Sequence, residues 1–314
     1  MLAKVAVYLW LPLLALITAT QALALRQPSR ALTYGVVTED GASGIHIYDI
    51  RTAVSAPLLD DPRLNESAPL WSPDGTQLLF EGRSTVGFDS SLYTWAPGEQ
   101  PPVRVLSSDR ITGARVFWSY DGARLLWRED NYDMTFYDLS SGDTERRIVP
   151  EPLLIHPLTL AHLGPGRFVV LGVQAGEVGF RPYLYDAVME STEPMMTTPP
   201  CDHSESVAVS RDGRWLAFTC LRTPRFQLMN LATQEVSLLT DALPAIRHGV
   251  IGWAADDQHV LINYFQPRSG TQQVFDQRYA LVNTETGALM PVLDGVGLRV
   301  LGVDWLPEGV LDAH

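Results

Sequence analysis

Residues that could ligate a metal ion form two sparse groups in this sequence. One is the run Cys201-Asp202-His203, and the other is the pair His156 and His162. Neither group has an Asp or Glu at a spacing that would fix a coordination geometry. We therefore predict no metal site and no cofactor.

A serine nucleophile has equally little support. The Gly-x-Ser-x-Gly pentapeptide of serine hydrolases does not occur, and Gly41-Ala42-Ser43-Gly44 is one residue short and typical of a flexible turn. Phosphate-binding glycine loops and paired Cys-x-x-Cys motifs are also missing. Around Ser210 the sequence superficially resembles a sialidase-type Asp-box, but Asp212 and Gly213 are adjacent where the box needs an intervening residue. We predict no catalytic residues from these motifs.

The dominant feature of the chain is instead an internal repeat. The segment LWSPDGTQLLF at 70–80 recurs as FWSYDGARLLW at 117–127 and as AVSRDGRWLAF at 208–218, with degenerate copies at 161–170, 252–262 and 304–309. The spacing is roughly 43–52 residues, which is typical of a four-stranded propeller blade. The expected marker positions are Trp71, Trp118, Ala161, Val209, Trp253 and Trp305.

Each copy predicts a β-hairpin. Pro73 presets the first central dihedral of the turn, Asp74 tolerates the second, and Gly75 accepts a positive φ. The same turn residues return as Asp121, Gly122, Asp212 and Gly213. The copy near Ala161 has Gly164-Pro165-Gly166 instead, and the copy near Trp253 has Asp256-Asp257.

Six aromatic and β-branched third strands and six short fourth strands follow the hairpins, which predicts six blades. Residues 299–305 form a first strand without a second, and residues 31–38 form a second strand without a first. We therefore expect an all-β, six-bladed propeller of four-stranded antiparallel blades, closed by pairing the N- and C-terminal strands in one blade.

The repeated tryptophans could stack on carbohydrate or pack between blades. Their identical repeat position favours packing, where each ring contributes about 2–3 kcal/mol of burial. Trp95 lies off that position on a third strand, and we expect it to be exposed.

The Trp-Ser-Pro-Asp-Gly hairpin followed by an aliphatic-aromatic-Asp strand resembles the TolB-like propeller repeat, a relative in shape of WD-repeat proteins. The resemblance extends over nearly all of the chain after residue 30. It implies a protein-binding platform outside the cytoplasm, and related propellers precede the hydrolase domain of prolyl-oligopeptidase-type enzymes. The shared residues build blades, so the motif specifies fold better than function.

The N-terminus has the order of a secretory signal. A weakly basic start leads into the apolar run 5–18, and Ala22-Leu23-Ala24 predicts cleavage before Leu25. An uncleaved anchor over residues 5–25 is the alternative. We thus expect a signal peptide or anchor at 1–24, a linker at 25–30 and one propeller domain at 31–314, located extracytoplasmically in the periplasm, at the outer side of the membrane or in the medium.

The formal net charge of −13 argues against a nucleic-acid partner and against anionic membrane surfaces. Membrane contact is therefore expected only through an N-terminal anchor. An exported chain can oxidise Cys201 and Cys220, which we expect to pair at one rim of a blade, with Glu205 or Ser206 opposite Cys220. Two buried thiols are the alternative.

Long loops connect second to third strands and successive blades, and both kinds leave an up-and-down blade on the same face. Aromatic and Arg side chains are enriched in interface hot spots. The candidate contacts for a protein partner in the cell envelope are Phe88, Arg181, Arg247, Phe265, Arg268 and Phe275.

The rival class is an enzyme or glycan-binding module that uses the central channel, as in a lactonase-like hydrolase. Such a site needs polar residues converging from the first strands. Those strands offer few besides Arg115, Glu205 and Asp304. We therefore favour a non-catalytic binding or scaffolding module.

Overall fold

The computed structural model describes residues 31–38, 41–87, 89–98, 101–107, 115–128, 133–150, 153–174, 179–196, 204–220, 226–240, 247–267, 275–294 and 299–307. Within these ranges the chain forms six antiparallel sheets of four strands each. The sequence prediction of an all-β, six-bladed propeller is confirmed.

The strands are given blade by blade, from the inner strand outward. Blade 1 comprises β24 (Arg299–Trp305), β1 (Ala31–Val37), β2 (Ser43–Asp49) and β3 (Val54–Leu59). Blade 2 comprises β4 (Leu64–Trp71), β5 (Leu78–Ser84), β6 (Ser90–Trp95) and β7 (Val103–Ser107). Blade 3 comprises β8 (Phe117–Trp118), β9 (Arg124–Arg128), β10 (Met134–Asp138) and β11 (Thr144–Arg147).

The second half of the ring repeats this order. Blade 4 comprises β12 (Leu153–Gly164), β13 (Arg167–Gln174), β14 (Arg181–Asp186) and β15 (Ser191–Pro194). Blade 5 comprises β16 (Ser204–Val209), β17 (Trp215–Cys220), β18 (Phe226–Asn230) and β19 (Val236–Thr240). Blade 6 comprises β20 (Arg247–Trp253), β21 (His259–Pro267), β22 (Phe275–Asn283) and β23 (Leu289–Val292).

Both chain ends build blade 1, as the unmatched terminal strands predict. β24 pairs antiparallel with β1, so that Trp305 lies opposite Leu32 and Asp304 opposite Thr33. The pairing continues past the strand, where Leu306 N donates to Ala31 O at 3.1 Å. The ring is therefore closed by hydrogen bonds between its two ends.

The hairpin turn between first and second strands is held by its Ser and Asp side chains. In blade 2, Ser72 Oγ donates to Asp74 Oδ1 at 2.6 Å and accepts from Gln77 N at 3.0 Å. Gly75 N donates to Ser72 O at 2.8 Å, and Gly75 adopts a φ of 72°. Equivalent bonds recur around Ser119 and Ser210. The repeated Ser-x-Asp-Gly residues are thus structural, as their repetition predicts.

In blade 6 the degenerate turn has a second role. Asp257 replaces the glycine and keeps its left-handed backbone, with a φ of 52°. Its carboxylate reaches the neighbouring turn of blade 5, where it accepts from Arg211 N at 2.7 Å and from Asp212 N at 3.2 Å. Loss of the glycine therefore gains a link between two blades.

The marker tryptophans join neighbouring blades. Trp118 Nε1 donates to Leu70 O at 3.0 Å, and Trp253 Nε1 donates to Ala208 O at 2.9 Å, in each case on the inner strand of the preceding blade. Trp71 Nε1 donates to Thr33 Oγ1 at 2.9 Å across the seam with blade 1. Trp71, Trp118 and Trp253 are buried, and Trp305 is half-buried. Packing between blades, rather than carbohydrate stacking, accounts for these rings.

Two expectations about aromatic and marker positions were wrong. Trp95 is buried, because it lies in register with Leu78 and Trp71 across the sheet and packs with them on blade 1. The marker of blade 4 is His162 rather than Ala161, since His162 pairs with Phe168 as Trp71 pairs with Leu78. His162 Nε2 lies 2.5 Å from Trp118 O and takes over the tryptophan's link to the preceding blade.

No helix within the described ranges is long and apolar enough to cross a membrane.

Candidate functional site

The propeller has two unlike faces. The turns between first and second strands and between third and fourth strands lie on one face, which we call the turn face. The connections between second and third strands and between blades lie on the other, which we call the long-loop face.

The Asp and Asn side chains at the turns between third and fourth strands are hydrogen-bonded within those turns. Asp49 Oδ1 accepts from Arg51 N at 2.9 Å and from Thr52 N at 2.8 Å, and Asp138, Asp186, Asn230 and Asn283 cap their turns in the same way. The hydroxyl of Ser140 and the turn backbone lower the pKa of Asp138 to about 2. These acids stabilise local structure and have little remaining capacity to bind a ligand.

Four of the six candidate contacts have backbone positions at the long-loop ends of their blades. Arg247 lies opposite Phe265, and Phe275 lies opposite Pro267, all in blade 6. Arg181 begins β14 of blade 4, opposite Gly172. The side chains of Arg181 and Phe265 are half-buried, whereas those of Arg247 and Phe275 lie outside the description.

The remaining candidates, Phe88 and Arg268, lie outside the described residues. The structure thus groups Arg247, Phe265 and Phe275 at one blade end, with Arg181 two blades away on the same face. β21 continues to Pro267 and β22 begins at Phe275, so residues 268–274 connect the two strands.

A buried glutamate that the motif search missed lies near the long-loop face. Glu66 on β4 is 0% exposed, and its Oε1 accepts from Asp61 N at 2.7 Å. Its Oε2 has no hydrogen-bond partner. Burial, with the nearby charges of Asp60 and Asp61, raises the pKa of Glu66 to about 7. The sequence could have indicated Glu66, because it is a carboxyl residue inside a strand otherwise rich in small and apolar residues.

Two of the three polar residues considered for a central-channel site have described side chains. Arg115 is exposed to solvent, and Asp304 on β24 is half-buried. Burial raises the pKa of Asp304 to about 6, against the opposing effect of backbone hydrogen bonds and of the Arg115 charge. The side chain of Glu205 lies outside the description.

The cysteine geometry differs in detail from the expectation. Ser204, rather than Glu205 or Ser206, lies opposite Cys220, because the pairing of β16 with β17 shifts register between Ser204 and Val207. Cys220 is buried. Cys201 lies outside the described residues, three positions before Ser204.

Of the candidate metal ligands, only His162 has a described side chain. Cys201, Asp202 and His203 lie outside the described residues, and the side chain of His156 is not described. His162 contacts a backbone carbonyl, and burial lowers its pKa. Within the described ranges, no group of three or more His, Cys, Asp or Glu residues could hold a metal ion.

Comparison with solved structures identifies the fold. TolB from Acinetobacter baumannii superposes with a TM-score of 0.65 at 16% identity, covering 88% of this chain and 67% of that one. A putative TolB from Agrobacterium tumefaciens gives 0.55 at 18% identity, covering 82% of this chain and 88% of that one. An oligogalacturonate lyase in complex with manganese gives 0.51 at 13% identity, covering 84% and 73%.

A scan against protein-family models finds no match, and a search of curated protein sequences finds none either. The structural likeness, at these identities, concerns the fold. It agrees with the repeat, the blade count and the ring closure. The chain therefore has the TolB-like six-bladed β-propeller fold.

Proposed function

We propose that this protein is an exported, non-catalytic propeller that binds a protein partner of the cell envelope through its long-loop face. The observation that supports this most directly is the contrast between the two faces. The repeated acids of the turn face are hydrogen-bonded within their turns, whereas the backbone positions of the aromatic and Arg candidates lie at the long-loop ends of blades 4 and 6, namely Arg181, Arg247, Phe265 and Phe275. Rigid scaffolds commonly bind through such loop faces.

Export is part of the proposal. It rests on the N-terminal secretory pattern and on a fold shared with TolB structures. The proposed location of the protein is the periplasm, the outer side of the membrane or the medium.

The test is capture of partners by cross-linking from an envelope extract, with identification by mass spectrometry. The double substitution R181A/F265A should remove the partner, because it deletes one guanidinium and one ring from the long-loop face. The matched control R51A/Y120A deletes the same two kinds of group from exposed positions of the turn face. Equal recovery with both variants, or loss with the control only, would contradict the proposed face.

A channel-based enzyme or glycan-binding module is the second candidate. Its specific support is the presence of Arg115 and Asp304 near the ring axis, together with a lyase among the structures of similar fold. Retained turnover of a lactone or oligosaccharide substrate, lost on substitution of Arg115 and not of Arg181, would favour it over the docking role.

We further propose that Cys201 and Cys220 form a disulfide at the entrance to blade 5. Support comes from Ser204, which faces Cys220 only three residues after Cys201. Closing this segment of the chain stabilises by about 3 kcal/mol on the chain-entropy model. A thiol titration of the unfolded, non-reduced protein should find no free thiol; a count of two would instead support the buried-thiol alternative.

A further inference from the structure

Arg115 lies just before β8, the inner strand of blade 3. It lies three residues before the marker Trp118, as Ala68 does before Trp71 and Gly302 before Trp305. Ala68 and Gly302 are exposed and have positive φ values of 50° and 93°, at register shifts of β4 and β24. Such bulges rotate a residue out of the sheet. Arg115 lies at the matching place in blade 3, and its charge acts on Asp304 of β24 in blade 1, so its guanidinium lies toward the ring axis.

The guanidinium of Arg115 is accessible to solvent and yet partly desolvated. Burial lowers its pKa, although the residue is exposed, and this combination is expected in a narrow passage lined by protein. Its central carbon lies 5.5 Å from the centroid of the Phe117 ring, at cation–π distance. Among the described residues, no carboxylate lies within ion-pair distance of it.

Asp304 is the acid whose charge acts on Arg115, but its oxygens are already occupied. Oδ2 accepts from Trp71 N at 2.7 Å, and Oδ1 accepts from Trp305 N at 2.8 Å. The carboxylate is thereby fixed to the seam between blades 1 and 2. Arg115 keeps its forked N–H donors without an acceptor in the described part of the protein, and a confined cation of this kind favours an incoming anion.

We propose that the central channel binds a carboxylate group through Arg115. A planar guanidinium matches the two oxygens of a carboxylate. A single cation beside an acid, in a protein of net charge −13, suits a monoanion better than a phosphate dianion. The site does not depend on the proposed docking face.

Asp304 makes the site sensitive to pH. As pH rises through about 6, Asp304 ionises and repels a bound carboxylate. The charged group of the described structure that acts on Asp304 is Arg115. Affinity for a carboxylate should therefore fall severalfold from about pH 5.5 to about pH 7.5.

The test is a calorimetric titration of the full chain with acetate, at constant ionic strength against chloride. The wild type should bind saturably, and R115Q should bind roughly tenfold more weakly or not at all. R115K, which keeps the charge and loses the fork, should weaken binding less than R115Q does. R167Q removes an exposed arginine from β13 and should bind as the wild type does.

Two further probes separate the sources of the carboxylate. If a tripeptide with a free C-terminus binds more tightly than its amidated form, the carboxylate is a peptide terminus. If acetate and propionate bind more tightly than the tripeptide, it is a small free acid. Both outcomes support the proposal. Inorganic phosphate binding more tightly than acetate would overturn the assignment to a monoanion. Equal acetate binding by R115Q and wild type, with both folded by circular dichroism, would overturn the site.

Discussion

The pKa of a carboxyl in this propeller depends on whether its side chain is hydrogen-bonded within a turn or desolvated by burial. The turn acids are surrounded by N–H and O–H donors. These donors lower the pKa of Asp74 and of Asp138, and the largest contribution in both cases is a hydrogen bond from a serine hydroxyl. Glu66 is buried and Asp304 is half-buried, and desolvation raises their pKa values to about 7 and about 6. The turn acids therefore stabilise the fold when ionised, whereas Glu66 and Asp304 favour it when protonated.

Substitution of Glu66 by glutamine should stabilise the protein at alkaline pH. The folded pKa of about 7 lies above the ordinary glutamate pKa of 4.5, so the stability that Glu66 contributes is complete below pH 4.5 and is lost as pH rises through 7. At about pH 8, E66Q should therefore have a larger free energy of unfolding than wild type, and this gain should exceed the one at about pH 5 by roughly 2.5 kcal/mol. Chemical unfolding at both pH values measures this.

The matched control for that substitution is E81Q, which neutralises an exposed glutamate on the neighbouring strand β5. It should change stability by less than about 0.5 kcal/mol at either pH. His46, on β2, faces the same seam and its pKa is lowered by burial, so its effect on stability has the opposite dependence on pH. A pH-independent difference between E66Q and wild type would show that Glu66 does not titrate in this range.

At the scale of the strands and turns, the sequence predicts most of the fold because the repeat encodes local geometry. Ser72-Pro73-Asp74-Gly75 specifies its turn through bonds made within six residues, and those bonds are confirmed. The predicted marker position of blade 4 was wrong because the turn of that blade differs in length from the others. The turn from His162 to Phe168 has five intervening residues where that from Trp71 to Leu78 has six, so alignment by the repeat falls one residue short.

Burial across a seam could not be predicted from the repeat. Trp95 is covered by blade 1, and Glu66 Oε2 lies 3.9 Å from where a Cβ on Gly44 of blade 1 would be. The candidate contacts could be predicted in part. Topology alone assigns Arg181, Arg247, Phe265 and Phe275 to the long-loop face, because strand direction fixes the end at which each lies, but side-chain packing decides which of them a partner can reach.

For the whole molecule, the last strand makes contacts with two blades. β24 completes blade 1, and its Asp304 also caps Trp71 N of blade 2. The turn of blade 2 contacts the chain just after β24, since a Cβ on Gly75 would lie 2.5 Å from Pro307 Cβ. The final strand therefore joins two blades as well as two termini, and an open ring would expose the edge of β1.

Truncation after residue 298 should abolish the cooperative thermal unfolding transition, because it removes β24, its ladder with β1 and the cap on Trp71. Differential scanning calorimetry of the truncated and full chains measures this. Truncation after Pro307 is the control: it keeps β24, the bond from Leu306 N to Ala31 O and the contact with Gly75, and should melt within about 2 °C of the full chain. Were the chain ending at 298 to melt at the same temperature, the ring would be held by its blade seams rather than by the pairing of its ends, and the role assigned to β24 would be wrong.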